Sequence, residues 1–329
     1  MVKVAILGGG SWATALVKIL SESEVKIQWW MKNRESVKHI ENLGNNPKYL
    51  TSVKINPKKV KPSSDIKAVI EGAEIVILAV PAAFIKEILI TLPRNIFDKK
   101  IIVSSIKGMI PGENILVSEF IEKTFLVPPD RVCVICGPCH AEEIALEKKS
   151  YLTIAGKSEK VGRKIADLFD CRFVKTSYVD DLYGTEYCAV MKNIIAIGCG
   201  IVHGLSYGDN FQAVLVSNAM QEIKRFLDAI YPMERDLNSS AYLGDLLVTT
   251  YSQFSRNRTL GNMVGRGYSV KSAQMEMNMV AEGYWAVKSI WEINKKYQVE
   301  MPITNAVYHV IYEKISPAVE IRILEDILS

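Results

Sequence analysis

An α/β fold with a doubly wound, mainly parallel sheet is predicted for the first half of this 329-residue chain, and an all-α domain for the second. Three observations predict it. Short apolar runs alternate with helix-like stretches through the first half, the pattern of a parallel sheet covered on both faces. From residue 184 onward the apolar residues recur at helical spacing. The length suits two domains at roughly 100–200 residues each. The expected boundaries are residues 1–183 and 184–329.

Residues 2–7 (VKVAIL) read as a short buried strand. The stretch GGGSWATAL at 8–16 follows, and residues 12–20 carry a helical pattern with Trp12, Leu16, Ile19 and Leu20 on one side. Further strands are expected at 25–30, 73–80 (AEIVILAV), 101–105 (IIVSS) and 132–135. The lysine-rich stretch 56–62 reads as a solvated loop. In the second half, helices are expected over 210–230, capped by Asp209 or Asn210, and over 256–265, 269–279, 282–297 and 304–313. Pro302 suits a helix start. Trp29 and Trp30 read as strand packing, and His203 and His309 as packing or surface residues.

The net charge is +4 with basic residues spread along the chain. That favours a small anionic ligand over nucleic acid, which selects for a clustered basic face. No apolar run approaches the roughly 18–20 residues of a membrane span, and no signal peptide is read at the start. Six cysteines in a chain this long do not form a disulfide scaffold, so a reducing cytoplasm is expected. Cys133, Cys136 and Cys139 have C-x2-C-x2-C spacing. With no fourth ligand nearby, they read as small apolar residues of a strand running into a turn, and no metal is expected.

Strand, then Gly8-x-Gly10-x-x-Ala13, then helix is the dinucleotide fingerprint in its required context. Gly8 permits the tight turn, Gly10 lets a pyrophosphate approach the backbone, and Ala13 lets the helix lie against the sheet. The helix start presents unpaired N–H groups to the phosphates. No acid stands about 20 residues further on, where an NAD site grips the ribose. Lys32 and Arg34 stand there instead and could receive a 2′-phosphate. The expected cofactor is NADP or NAD, with NADP favoured.

Further motifs then accumulate. Ala79-Val80-Pro81 closes one strand, and Ile106-Lys107-Gly108 the next. Gly137-Pro138-Cys139-His140-Ala141-Glu142-Glu143 follows the strand after that. Val190-Met191-Lys192-Asn193-Ile194-Ile195-Ala196-Ile197, Gly244-Asp245-Leu246, Ser255-Arg256-Asn257-Arg258 and Val280-Ala281-Glu282-Gly283 complete the series. In order and spacing the chain resembles the bacterial-type NAD(P)-dependent glycerol-3-phosphate dehydrogenases over nearly its whole length. The resemblance implies a Rossmann-type domain followed by an all-helical domain of the 6-phosphogluconate dehydrogenase-like kind. It implies interconversion of dihydroxyacetone phosphate and sn-glycerol 3-phosphate, feeding phospholipid synthesis. By motif position Lys192 corresponds to the catalytic lysine. Lys107, Gly137, Cys139, Lys192, Asn193, Asp245, Ser255, Arg256 and Asn257 correspond to substrate contacts. Gly8, Gly10, Ser11, Trp12, Lys32, Lys107, Ala141, Arg256, Val280 and Glu282 correspond to cofactor contacts. The chain departs from the pattern at Cys139, where Ser or Thr is common, at His140, where an aromatic is common, and at Tyr242, a small-residue position.

The chemistry suits these residues. A cofactor supplies hydride, while the protein supplies position and a proton. Lys192 is placed as proton donor to the reduced ketone and as base in reverse. A free lysine near pKa 10.4 is a poor base at neutral pH. Lys107 and Arg256 are expected to lower its pKa and Asp245 to raise it. An unpaired charge inside the apolar run around Lys192 would be expensive without a role. Ser255 reads as an N-cap, with Arg256 giving paired N–H bonds to a phosphate. Asn193 either bonds a substrate hydroxyl or holds Lys192. The halves are expected to close on each other, because one carries the cofactor and the other Lys192. The expected partner is a phosphorylated small molecule, and a homodimer is compatible with the reading. Two rival readings are another β-hydroxyacid dehydrogenase acting on a carboxylate, and a non-catalytic NAD(P)-binding regulator. The S-R-N-R stretch favours a phosphorylated substrate over the first. Lys192, Asn193, Asp245 and Arg256 together favour catalysis over the second.

Overall fold

The computed structural model describes residues 1–277 and 279–329. Asn278, within the helix expected over 269–279, lies outside the described residues. The chain divides into two compact units. Met1–Ile106 and Val117–Leu182 form the first, Lys107–Leu116 and Tyr183–Ser329 the second. This differs from a single cut after residue 183, because Lys107–Leu116 groups with the helical part of the chain.

The strands in chain order are β1 (Val2–Leu7), β2 (Val25–Trp30), β3 (Val60–Ser63), β4 (Ile75–Leu78), β5 (Ile101–Ser104), β6 (Met109–Ile110), β7 (Ile115–Leu116), β8 (Val132–Cys136), β9 (Ser150–Gly156) and β10 (Val174–Val179). Eight of them make the sheet of the first unit, in the order β10-β9-β8-β5-β4-β1-β2-β3. All neighbours run parallel except β8 and β9. The four residues of β4 and the five of β8 are all buried, as strands covered on both faces must be. Chain order reverses between β1 and β4, and the carboxyl ends of such strands border the ligand crevice of open α/β sheets. The helix Ser11–Leu20 follows β1 at that point.

Three strands of this sheet, and the β6–β7 pair outside it, were not expected. β3 overlaps the lysine-rich stretch read as a loop. Its Val60 and Pro62 are buried and Lys61 is exposed, and a strand containing proline is tolerated because this one lies at the sheet edge. β9 and β10 carry Ser, Thr and Gly, which mask a strand in sequence, and are held by parallel pairing to each other.

The second unit is helical apart from the β6–β7 hairpin. Its central helix, Leu182–Gly204, is long and apolar enough to cross a membrane by length and composition, which the sequence reading did not expect. In the structure 83% of its most apolar window is buried inside the protein. It is a core helix, with Val190, Met191, Ile194, Ile195 and Ile197 packed in the helical core. The helix Asp209–Ile230 starts from Gly208, with no side-chain cap, rather than from Asp209 or Asn210. The helix expected over 269–279 spans Val270–Glu276, and that expected over 304–313 is an α-helix Pro302–Tyr308 continued by a π-helical turn, His309–Glu313.

Glycines let the central helix touch the helix Arg256–Gly265. A Cβ on Gly200 would stand 2.2 Å from the Arg258 carbonyl oxygen, and one on Gly261 would stand 2.0 Å from that of Ile197. One turn on, Gly204 and Gly265 each face opposing carbonyl oxygens at 2.4 Å. The two backbones are therefore in close contact over a full turn of each helix, running to the C-terminal end of both. A second internal tie is Glu222, which is fully buried and accepts hydrogen bonds from Ile303 N (2.8 Å), Thr304 N (3.0 Å) and Thr304 Oγ1 (2.5 Å). Burial pushes its carboxyl pKa up to about 7, although these bonds and Arg225 oppose the rise.

Candidate active site

In the first unit the site is made from backbone. Gly8 has φ +141°, and a Cβ there would stand 2.2 Å from the Ala79 carbonyl oxygen, so no other residue fits between the ends of β1 and β4. Gly10 differs: a Cβ would meet nothing within 4 Å. It is the N-cap of Ser11–Leu20 and offers no side-chain bond to the first-turn N–H groups. The Trp12 indole Nε1 is buried without a hydrogen-bond partner. Open space beside the N–H donors of a helix N-terminus fits the diphosphate of a dinucleotide. Ala13, in the first turn of that helix, is fully buried.

At the end of β2, Lys32 and Arg34 are exposed. Asn33, between them, caps the helix Arg34–Leu43 by accepting from Ser36 N. Gly137 has φ +108° and a Cβ there would stand 2.7 Å from the Tyr151 carbonyl oxygen, so this glycine has a structural reason independent of any ligand. Cys139 is half-buried, and Ala141 is buried at the start of the short helix Ala141–Ala145. That helix packs on Ser11–Leu20, with Lys18 and Glu147 paired at 2.9 Å.

In the second unit the site is made from side chains. Lys192, on the central helix, is 3% exposed, and its ammonium donates to Asp245 Oδ1 and, at 2.9 Å, to Thr249 Oγ1. Asp245 opens the helix Asp245–Tyr251 and is 1% exposed. Lys107 Nζ reaches the same carboxylate, 3.0 Å from Oδ2 and 3.3 Å from Oδ1. Two ammonium groups thus share one buried carboxylate. Burial lowers the Lys192 pKa most, with Lys107 adding to the fall and Asp245 opposing it. Arg256, expected to act on Lys192, is not among the charges that do. Burial pushes the Asp245 carboxyl up, but Lys107 and Lys192 outweigh it and hold it below the usual carboxylate range. Asn193 Nδ2 donates to the Lys107 carbonyl at 2.8 Å, so this side chain fixes the segment carrying Lys107.

Ser255 caps the helix Arg256–Gly265 by accepting from Arg258 N. Arg256 is exposed, with Nη1 4.0 Å from Met279 Sδ. Asn257 is buried and accepts from Gly283 N at 2.9 Å. Gly283 in turn lies against Asn193, where a Cβ would stand 2.5 Å from the carbonyl oxygen. Asn193, Asn257 and the Val280–Gly283 segment are therefore knitted together. Val280 and Glu282 are both half-buried.

Lys107, Lys192, Asn193 and Asp245 are thus joined directly, and Ser255, Arg256 and Asn257 share one helix start. Gly8, Gly10, Ser11 and Trp12 form the glycine turn, while Lys32, Gly137, Cys139 and Ala141 lie on separate segments of the first unit. Thr249 was missed by sequence reasoning, although its i+4 spacing from Asp245 was a signal. Cys133 lies on β8 with burial pushing its thiol up to about 12, which keeps it protonated. Tyr242 is buried with its hydroxyl 3.2 Å from Thr185 Oγ1, a packing role inside the helical core.

Comparison with known proteins adds the family. Residues 3–162 match the family described as NAD-dependent glycerol-3-phosphate dehydrogenase N-terminus, and residues 181–322 the corresponding C-terminus. A glycerol-3-phosphate dehydrogenase [NAD(P)+] of Bacillus pumilus is 34% identical over 97% of this chain and 93% of its own length. One from Staphylococcus aureus is 35% identical over 96% of this chain and 95% of its own. The crystal structure of glycerol-3-phosphate dehydrogenase from Coxiella burnetii superposes with a TM-score of 0.92 at 28% identity, covering 98% of both chains.

Proposed function

The chain belongs to the NAD-dependent glycerol-3-phosphate dehydrogenase family, and on that premise we propose that it interconverts dihydroxyacetone phosphate and sn-glycerol 3-phosphate with NAD(P)H, supplying glycerol 3-phosphate to phospholipid synthesis. The observation that carries the reading is the buried Lys192–Asp245–Lys107 cluster with Thr249. A lysine buried this deeply beside a carboxylate is suited to holding and releasing a proton.

The Gly8–Trp12 turn would hold the nicotinamide coenzyme, which would supply the hydride chemistry when bound. Lys192 as an ammonium donates its proton to the C2 oxygen when the ketone is reduced. As a neutral amine it takes that proton back when the alcohol is oxidised. Burial brings the neutral amine within reach at lower pH than an exposed lysine allows. Asp245 holds the ammonium in place, and the Thr249 hydroxyl fixes its second direction. Arg256, with the capped helix start behind it, binds the substrate phosphate.

NADPH is the preferred coenzyme in this reading. Asn33 spends its side chain on a helix cap and carries no charge to grip or repel at the ribose, while Lys32 and Arg34 on either side of it are exposed cations suited to a 2′-phosphate. Six free cysteines suit a cytoplasmic setting.

The test is absorbance of reduced nicotinamide with dihydroxyacetone phosphate, run with NADPH and with NADH. Consumption is expected with both and at lower concentration with NADPH. Consumption only with keto-acid substrates would return the carboxylate-specific reading. Coenzyme binding without turnover would return the regulator.

A further inference from the structure

Three consecutive carbonyls of the glycine turn are held by the protein. The Gly8 oxygen accepts from the Trp29 indole Nε1 at 2.7 Å. The Gly9 oxygen accepts from Asn46 Nδ2 at 3.1 Å. The Gly10 oxygen accepts from Thr14 N and Thr14 Oγ1, each at 3.0 Å. Trp29 is fully buried and Asn46 is 1% exposed. Asn46 also donates to Thr14 Oγ1 at 2.8 Å, and its Oδ1 accepts from Lys48 N and Tyr49 N at 3.0 and 3.3 Å. Its carboxamide is wholly engaged, bridging the loop after Gly44 to the turn.

Across a trans peptide the C=O and N–H point in opposite directions. Holding the oxygens of Gly8, Gly9 and Gly10 against the protein therefore turns the N–H groups of Gly9, Gly10 and Ser11 away from those partners. A glycine peptide rotates with little steric resistance. A rotated peptide would set a carbonyl dipole against an anion, where an N–H should be. The absence of side chains gives the turn room and also removes any intrinsic control of peptide orientation, so the control has to come from outside.

We propose that Trp29 and Asn46 are positioning residues for the coenzyme: their side-chain donors lock the Gly8 and Gly9 carbonyls inward, so that the diphosphate meets only N–H groups. The inference rests on reading the turn as the diphosphate cradle. Trp29 lies on β2 and Asn46 in the following loop, so the second βα segment orients the first. Neither residue touches the reacting atoms in this account.

The test uses isothermal titration of the full chain with ADP-ribose, which carries the diphosphate, and with adenosine, which does not. Trp29→Phe and Asn46→Ala are each expected to weaken ADP-ribose about tenfold, the size of one lost hydrogen-bond constraint. Adenosine binding is expected to stay within about twofold, since stacking and ribose contacts do not use these carbonyls. Equal losses for both probes, as general loosening of the fold would give, overturn the proposal, as does unchanged ADP-ribose binding in both variants. Gly10→Val separates the two layers. If it leaves ADP-ribose binding intact, the cradle reading falls and the proposal with it. If it abolishes binding while Trp29→Phe and Asn46→Ala do nothing, only the proposal falls. In the unaltered protein, the amide proton resonances of Gly9 and Gly10 are expected to move on adding ADP-ribose and not on adding adenosine. No response to ADP-ribose overturns the proposal without any variant.

Discussion

Where a Cβ on Gly10 would stand there is open space, whereas a Cβ on Gly200, Gly204, Gly261 or Gly265 of the second unit would stand 2.0–2.4 Å from main-chain oxygens of an opposing helix. At Gly10 the missing side chain leaves open space. In the second unit it lets one helix lie on another, and the ligand-facing work falls to charged side chains. The difference teaches how glycine serves two purposes in one chain. Backbone N–H groups at a glycine turn suit a diphosphate, which is common to many coenzymes. Lys107, Lys192 and Asp245 form a cluster in which two ammonium groups share one carboxylate.

The comparison can be broken most forcefully at Lys192. Lys192→Ala is expected to lower kcat by at least about 100-fold, the scale of a general acid–base group. Coenzyme binding, measured by fluorescence titration, should survive. Near-normal turnover would leave the second unit without its assigned chemistry.

A Cβ at the helix crossing comes next. Gly261→Ala is expected to cost about 3 kcal/mol of stability in urea titration, because the opposing Ile197 carbonyl must move. Gly10→Val is the counterpart in the first unit. With φ −84° and ψ −176° the backbone accepts any residue, so stability should change by less than about 1 kcal/mol while coenzyme affinity falls. Equal stability losses at the two glycines would erase the distinction drawn between them.

Arg256→Ala should raise the substrate KM about tenfold, the loss of one charge-assisted contact, with a smaller change in kcat. An unchanged KM would remove the phosphate clamp from this helix start.

The smallest effect concerns pH. The alcohol-oxidising kcat/KM should rise with pH as Lys192 loses its proton, below the ordinary lysine range because burial lowers its pKa. Asp245 favours the ammonium, so Asp245→Asn should move that rise to lower pH. A shift to higher pH would contradict the cluster. Glu222 gives a matching stability test away from the site. Its folded pKa, about 7, lies above its unfolded value. The native state therefore binds the proton more tightly, and stability should fall as pH rises from about 4.5 to about 7. Glu222→Gln should flatten that slope.

Much of the site was legible in the residues. The opening strand, the glycine turn, the helix after it, the Ser255 cap and a lysine inside an apolar helix all follow from local rules, because each is stabilised by its own neighbours. β9 and β10 were not legible, since their strand character comes from pairing with each other more than from composition. Thr249 and Asn46 were not either, because a lone Thr or Asn carries no sign of the partner it will meet.

Residue order alone dictated that a glycine turn opening a helix follows β1 and that an ammonium is buried in a helix, because chain direction, side-chain size and capping act over a few positions. Folding in three dimensions decided that Lys107 joins the helical unit, that two ammonium groups share the Asp245 carboxylate, and that Trp29 and Asn46 govern the glycine carbonyls. Those outcomes join residues from 21 to 138 positions apart, as between Trp29 and Gly8 or Lys107 and Asp245, and only packing brings such groups within bonding distance.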